Sequence, residues 1–192
     1  GMVAVTGPAR DWDVFLVSTG NLLDADAAAA FARINEERIT TSREAVLEML
    51  ESAPWTRHRE EWTRFLETAD EAPLDPERAR AALALALERA HRRHGRAMKK
   101  NSDRRWHRYR IAVKEVRYVA EANLAVEGMA PVVVACKALQ TLLGEWHDTV
   151  VQLNLLDELP PEAVHERLLE RIRDRKATLL SEIRTLPPPD QP

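Results

Sequence analysis

The chain has little of what several common classes of protein require. Cys136 is the single cysteine among 192 residues, which excludes an internal disulfide and a cysteine-based zinc cluster. Only six residues are glycine, and no apolar run is long enough to span a bilayer. The first residues show neither the basic nor the apolar region of a signal peptide. We therefore expect no membrane association and a cytoplasmic location.

Alanine and leucine dominate the apolar residues, and the prolines stand between long stretches that lack them. This composition predicts an all-α fold, with six to eight helices joined by short links in a bundle. The clearest helix start is Asp75-Pro76, because Asp suits the cap and Pro the first helical position. A shorter helix at about 56–66 is expected to pack through these residues: Trp55, Trp62, Phe65 and Leu66.

Residues 106–121 carry an unusual charge pattern. On a helix at 100° per residue, the polar side chains fall into one stripe: His107, Arg110, Lys114, Arg117 and Glu121. A second stripe about a quarter-turn away is apolar: Trp106, Tyr109, Val113, Val116 and Ala120. The cations of the first stripe repel one another, and at about 1.5 Å rise per residue they form a row long enough for an extended, multiply charged anion.

The net charge of −3 conceals a polarised distribution of charge. Between residues 89 and 117, twelve lysines and arginines face only two acids, Asp103 and Glu115. A local field of this kind steers an anion even on a chain that is acidic overall. A solvated helix face is the plain alternative, although such faces usually mix the two signs of charge.

A second stretch, residues 137–148, repeats the same spacing. Four of its residues form one stripe: Lys137, Gln140, Gly144 and His147. Glycine within a helix costs up to about 1 kcal/mol relative to alanine, so we expect either a neighbouring helix or a ligand to approach Gly144 closely. A shorter echo, GPARDWDV from Gly7, overlays GEWHDTVV from Gly144 and places Arg10 in the position of His147. That overlay indicates an internal repeat whose first copy lacks its beginning.

These stretches, taken in order, resemble the CHAD domain, the conserved-histidine α-helical domain. H-x-x-R-x-x-x-K-x-x-R-Y-x-x-E at 107–121 precedes K-x-L-Q-x-x-L-G-x-x-H-D at 137–148, and RDWDVF at 10–15 resembles the end of the family's first repeat. The resemblance implies a single domain over 1–192, built from two repeated antiparallel helical units. The expected divisions are an incomplete first repeat at about 8–70, a second repeat at 75–186 and a disordered tail at 187–192.

The resemblance also implies a non-enzymatic function, the binding of inorganic polyphosphate or another phosphate-rich polyanion, with no cofactor and no metal. It assigns the anion contacts to Arg10, His107, Arg110, Lys114, Arg117, Lys137 and His147. Tyr118 and Gln140 are expected to orient those groups, and further cations are expected at Arg93, Arg96 and Lys100. Association with polyphosphate granules is a further expectation. The seam left by the incomplete repeat would pair with a second copy of the chain.

Two other functions suit parts of the pattern. A basic stripe also suits RNA or single-stranded DNA, whose bases would stack on Trp106, Tyr109 and Tyr118. His91 and His94 are spaced to share a metal, although the neighbouring arginines would repel a cation. An enzyme is not expected, because the sequence has no paired carboxylates, nucleophile–base signature or glycine-rich phosphate loop.

Overall fold

The computed structural model of the chain describes residues 2–20, 29, 32–33, 35–68, 75–158 and 166–190. These residues form helices, turns and links, and no strand occurs among them. The helices whose bounds the described residues define are α1 (Met2–Gly20), α2 (Glu36–Glu51), α3 (Ala53–Thr68), α4 (Pro76–Lys100), α5 (Asp103–Glu121), α6 (Met129–Asp157) and α7 (Glu166–Thr185). The predicted all-α fold is confirmed. In the described part of the chain, no helix combines the length and the apolarity needed to cross a membrane.

The chain divides into two compact units. Unit 1 comprises Gly1–Ala72 and Val151–Glu170, and Unit 2 comprises Pro73–Val150 and Arg171–Pro192. The division falls within α6 and α7, so each unit contains part of both helices. The repeats expected at 8–70 and 75–186 are each one continuous segment, so they differ from these two-segment units. The repeat assignment stays a prediction.

Unit 1 is organised by the packing of α1 against α2. Trp12 and Phe15 of α1 and Ile39 of α2 are buried, and the Arg43 guanidinium lies 2.5 Å from a carboxylate oxygen of Asp13. Gln152 donates a hydrogen bond of 2.6 Å to the Ser18 hydroxyl, which attaches the end of α6 to α1.

The third helix is buried less than its apolar residues predict. None of its side chains is buried, and Trp62, Phe65 and Leu66 are all more than half exposed. The rings of Trp62 and Phe65 stack on each other, with centroids 5.4 Å apart. The predicted packing role of these three residues is therefore wrong. Periodicity identified the apolar face, but it carries no information on whether a partner covers that face.

The first helix of Unit 2, α4, starts at the predicted cap, Asp75. One oxygen of its carboxylate accepts hydrogen bonds from the backbone N–H groups of Glu77 and Arg78, at 3.0 and 3.1 Å. Only Asn101 and Ser102 separate α4 from α5, and Asn101 adopts a left-handed conformation with φ of 35°. A link this short makes the two helices an antiparallel hairpin.

The core of Unit 2 contains the predicted apolar stripe of α5. All five of its residues are buried: Trp106, Tyr109, Val113, Val116 and Ala120. Side chains of α4, α6 and α7 pack into the same cluster, among them Leu87, Leu143 and Leu179. Cys136 is one of these core residues, and burial raises the pKa of its thiol to about 11.

Beyond α7 the chain continues without helix through residues 187–190. Pro189 is buried, and its carbonyl oxygen lies 2.7 Å from Nε2 of His91 on α4. Composition predicts disorder for the tail, but these four residues are placed against α4 by that contact. Residues 191 and 192 lie outside the described residues.

Candidate functional site

Two histidines that are forty residues apart in sequence meet between α5 and α6. The rings of His107 and His147 have centroids 4.7 Å apart, with an interplanar angle of 47°. Farther along α5, the Glu121 carboxylate lies 3.5 Å from Arg117 Nε and 3.6 Å from Lys137 Nζ on α6. The two contacts show that α5 and α6 run antiparallel, with both sequence stripes adjoining.

We call the combined surface the histidine stripe. It consists of His107, Arg110, Lys114, Arg117, Tyr118 and Glu121 of α5 together with Lys137, Gln140, Gly144 and His147 of α6. Its antiparallel register, counted from the two contacts, places Gly144 opposite Arg110. The same count places Gln140 at the level of Lys114 and Arg117. The structure thus brings together eight of the residues that the sequence proposed for anion binding.

Gln140 supplies an unusual feature of the stripe. Its side-chain Nε2 is buried and has no hydrogen-bond partner among the described residues. A buried amide donor without an acceptor is costly, typically about 1–3 kcal/mol. An anionic oxygen bound beside Lys114 and Arg117 would satisfy it, so Gln140 is suited to contact a ligand as well as to orient its neighbours.

Gly144 leaves open space at the same surface. Apart from its two chain neighbours and the nearby backbone of α6 itself, a Cβ atom built at this position would meet no described atom within 4 Å. Close packing of another helix is therefore not the reason for this glycine in the described structure. Of the two sequence-based interpretations, this geometry favours an opening for a ligand opposite Arg110.

Tyr118 is half exposed and lies between two cations of the stripe. Its ring centroid is 5.8 Å from Lys114 Nζ and 5.1 Å from the guanidinium carbon of Arg117. Cations at these distances are attracted to the negative face of the ring. These contacts favour positions of both cations beside the ring, and the orienting role of Tyr118 stays a prediction.

His107 is electrostatically unlike an exposed histidine. Burial lowers its pKa below the ordinary value, and the nearby Arg110 cation lowers the pKa further. In the free protein the neutral form of His107 is therefore favoured more than in an exposed histidine. A bound anion would offset the repulsion from Arg110 and favour the protonated ring.

The other predicted cations lie elsewhere. Arg93, Arg96 and Lys100 belong to α4, on the side of that helix that faces α5. An ion pair of 2.7 Å between Arg89 of α4 and Glu115 of α5 joins the two helices there. Arg10 is exposed on α1 in Unit 1, and is described with that unit alone.

Sequence reasoning missed three arginines of α5: Arg104, Arg105 and Arg108. Repulsion by Arg104 is the largest cause that lowers the pKa of the Arg108 guanidinium, and Arg93, Arg105 and Arg96 add to it. The signal was present as the i, i+4 spacing of Arg104 and Arg108. That spacing alone does not show that Arg93 and Arg96 lie nearby, because their proximity depends on the packing of α4 against α5.

The two histidines considered for metal binding have other contacts. His91 contacts the carbonyl oxygen of Pro189. The ring centroid of His94 lies 5.0 Å from that of Tyr109 and 6.3 Å from that of Trp106. Within the described ranges, no group of three or more histidine, cysteine or acidic residues is placed to hold a metal ion.

Comparison with known proteins gave two matches. The family model described as CHAD domain matches residues 2–157. The crystal structure of the CHAD domain from the plant Ricinus communis is similar to this chain, with a TM-score of 0.68 and 23% sequence identity. The alignment covers 100% of this chain and 72% of that one, and at this identity it shows the fold. None of the curated proteins compared with the chain matches it.

Proposed function

Because this chain belongs to the CHAD domain family, we propose that it binds inorganic polyphosphate, without catalysis, at the histidine stripe. The observation that carries the proposal is the convergence of α5 and α6, which gathers their cations beside a packed core. A rigid core fixes the positions of those cations before the ligand arrives, so less conformational entropy is lost on binding.

The chemistry of the stripe suits a linear chain of phosphates. Arginine guanidinium groups hold two phosphate oxygens at once, and lysine acts as a point charge. The cations recur at each turn of α5, so a linear anion meets a new positive charge about every 5.4 Å along the helix. The free donor of Gln140 and the opening at Gly144 add contacts that charge alone does not supply.

Glu121 acts as an internal competitor for the ligand. Its carboxylate is shared by Arg117 and Lys137 in the free protein, at 3.5 and 3.6 Å. Polyphosphate would take over these cations, since it brings several charges where Glu121 brings one. Glu121 thus reduces repulsion among the cations in the free protein, and polyphosphate would reduce it in the complex. This gives a reason for the acid at the end of a row of cations.

Isothermal titration with long-chain polyphosphate at several salt concentrations tests the proposal. We expect affinity to fall steeply with salt, because each phosphate contact releases counterions. The R110E/K114E double variant should lose most of the affinity. R173E/R184E changes the net charge equally at two exposed positions of α7 and should bind like the parent. Binding indifferent to both salt and R110E/K114E would contradict the proposal.

Nucleic acid is the alternative ligand, and the burial of the aromatic residues argues against it. Trp106 and Tyr109 are each 1% exposed, so neither ring is accessible for stacking on a base. Tyr118 is accessible, but its ring already contacts two cations. We expect polyphosphate to displace single-stranded RNA in a competition titration, whereas RNA and ATP should displace polyphosphate poorly.

Partner and location follow from this function as further proposals. A polyphosphate-binding chain would collect on polyphosphate granules in the cytoplasm, which fluorescence imaging of a tagged chain would test. Pairing of two copies also stays a prediction. Light scattering that gives a monomer at high protein concentration would count against that pairing.

A further inference from the structure

The hairpin of α4 and α5 carries a second row of cations outside the histidine stripe. The ion pair between Arg89 and Glu115 fixes which residues of the two antiparallel helices stand side by side. Counting from that pair toward the link places Arg96 opposite Arg108. One turn farther, Lys100 stands opposite Arg104. We define the arginine patch as Arg93, Arg96, Arg104, Arg105 and Arg108.

The acids near the arginine patch are already engaged by other cations. Glu115 pairs with Arg89, Glu88 with Arg92, and Asp103 with Lys176 at 2.7 Å. In the part of the chain that the structure describes, no carboxylate forms an ion pair with an arginine of the patch. Among the described residues, therefore, no acid compensates the charges of the patch.

The position of Arg104 and Arg105 adds to this repulsion. Both lie in the first turn of α5, where the helix dipole presents its positive end and disfavours cations. Ser102, the residue before the helix, makes no side-chain hydrogen bond that caps it. The first turn of a helix has few acceptors for its N–H groups, so these arginines stand at a helix end that favours an anion with several oxygens.

We propose that the arginine patch is a second anion-binding surface, which binds a further segment of the polyphosphate chain held at the histidine stripe. The proposal rests on the proposed function. On α5, Arg108 projects about 100° round the helix axis from His107, so the patch and the stripe occupy adjoining sides of one helix. A long chain can pass round α5 and contact both, whereas a short one occupies a single surface.

The patch favours a phosphate chain over a nucleic acid because it offers charge alone. Its five residues are all arginine, and the aromatic residues nearest to them in α5, Trp106 and Tyr109, are buried. Base stacking supplies much of the affinity for single-stranded nucleic acid, and this surface has no ring to provide it.

The test compares tripolyphosphate with long-chain polyphosphate for the parent, R104E/R108E and R104Q/R108Q. With two surfaces joined by one ligand, R104E/R108E should weaken long-chain binding by about tenfold or more, because the avidity is lost. The salt dependence of long-chain binding should fall by about two in slope, roughly one per phosphate contact. Tripolyphosphate should bind the variant as it binds the parent, since the histidine stripe is intact.

Controls separate the patch from general effects of charge and folding. R173E/R184E makes the same change in net charge and should keep the long-chain affinity. R104Q/R108Q removes the contacts without adding acids, and circular dichroism should show the helical content of the parent. Equal losses for both ligands, or no loss for the long chain, would overturn the second surface.

The same titrations distinguish failure of this inference from failure of the proposed function. If R110E/K114E loses binding while R104E/R108E keeps its long-chain affinity, only the arginine patch is rejected. If the parent binds neither ligand, both proposals are rejected.

Discussion

The histidine stripe and the arginine patch lie on the same helix, yet their charges are arranged differently. In the stripe, Glu121 compensates Arg117 and Lys137, and a glutamine with a buried amide nitrogen and two histidines accompany the cations. In the patch the residues are all arginine, and the neighbouring acids pair elsewhere. The stripe therefore combines positive charge with amide and imidazole hydrogen-bonding groups, while the patch offers mainly a positive electrostatic field. This difference predicts which ligand lengths and which conditions each surface responds to.

The largest effect is expected from disabling both surfaces at once. The quadruple variant R104E/R108E/R110E/K114E should bind long-chain polyphosphate far more weakly than either double variant, because at least four phosphate contacts are replaced by repulsion. Each lost contact removes about one from the salt slope, so the slope itself should fall by about four. Titration at three salt concentrations measures it. Residual binding at the parent level would place the main site outside α5.

Acidity should separate the two surfaces, because only the stripe titrates near neutral pH. Anion binding favours protonated His107, so tripolyphosphate affinity should rise as pH falls from 7 to 5.5, by at most about tenfold per pH unit for one proton. The H107Q variant should lose most of this dependence. An unchanged pH profile in H107Q would exclude His107 as its source.

The free protein should respond to acid in the opposite direction. The pKa of His107 is lowered in the folded state, so between that pKa and the ordinary 6.5 the unfolded chain binds more protons. The contribution of His107 to the free energy of unfolding is therefore greatest above pH 6.5 and declines as pH falls below it. The pKa of His94, lowered chiefly by burial, acts in the same sense. Urea titrations at pH 7.5 and 5.5 should show lower stability in acid, and saturating polyphosphate should reduce the difference.

Releasing cations from their acids should produce a smaller effect that differs between the surfaces. The E121Q variant frees Arg117 and Lys137, so tripolyphosphate affinity should increase about threefold, in keeping with the modest strength of ion pairs that solvent still reaches. The matched variant E115Q frees Arg89 on the α4 side and should leave tripolyphosphate affinity unchanged. Equal gains in both variants would mean that net charge, rather than position, governs binding.

The smallest effect is expected at Gly144. Alanine meets open space there and favours the helix, so G144A should raise the free energy of unfolding by about 0.5–1 kcal/mol. Its methyl group should also weaken tripolyphosphate binding by narrowing the opening opposite Arg110. Gly95 of α4 likewise has open space, so G95A should gain similar stability without losing affinity. Equal affinities of G144A and G95A would show that the open space at Gly144 does not contribute to tripolyphosphate binding.

Local pattern predicted most of the fold and one of the two surfaces. The cap at Asp75 and the buried stripe from Trp106 to Ala120 depend on residues close in sequence, so periodicity identified them. The resemblance assigned His107 and His147 separately to anion binding, but it did not predict their 4.7 Å contact, which depends on the antiparallel register of α5 and α6.

The features that the sequence did not predict depend on contacts between separate segments, whereas periodicity describes only the spacing of residues along one helix. The arginine patch joins residues of α4 and α5 whose proximity is set by the register of the hairpin. Trp62 and Phe65 have the spacing of core residues, but they remain exposed because burial depends on what packs against α3. Pro189 contacts His91 although composition predicted a disordered tail.

The most direct test of the account follows the imidazole signals of His107 and His147 by NMR during a polyphosphate titration. The chain has six histidines, and the H107Q variant assigns one of the two signals that matter. If the histidine stripe is the binding surface, both signals should shift in proportion to the bound fraction, and the pKa of His107 should rise. Saturating binding with both signals unmoved would contradict the central claim.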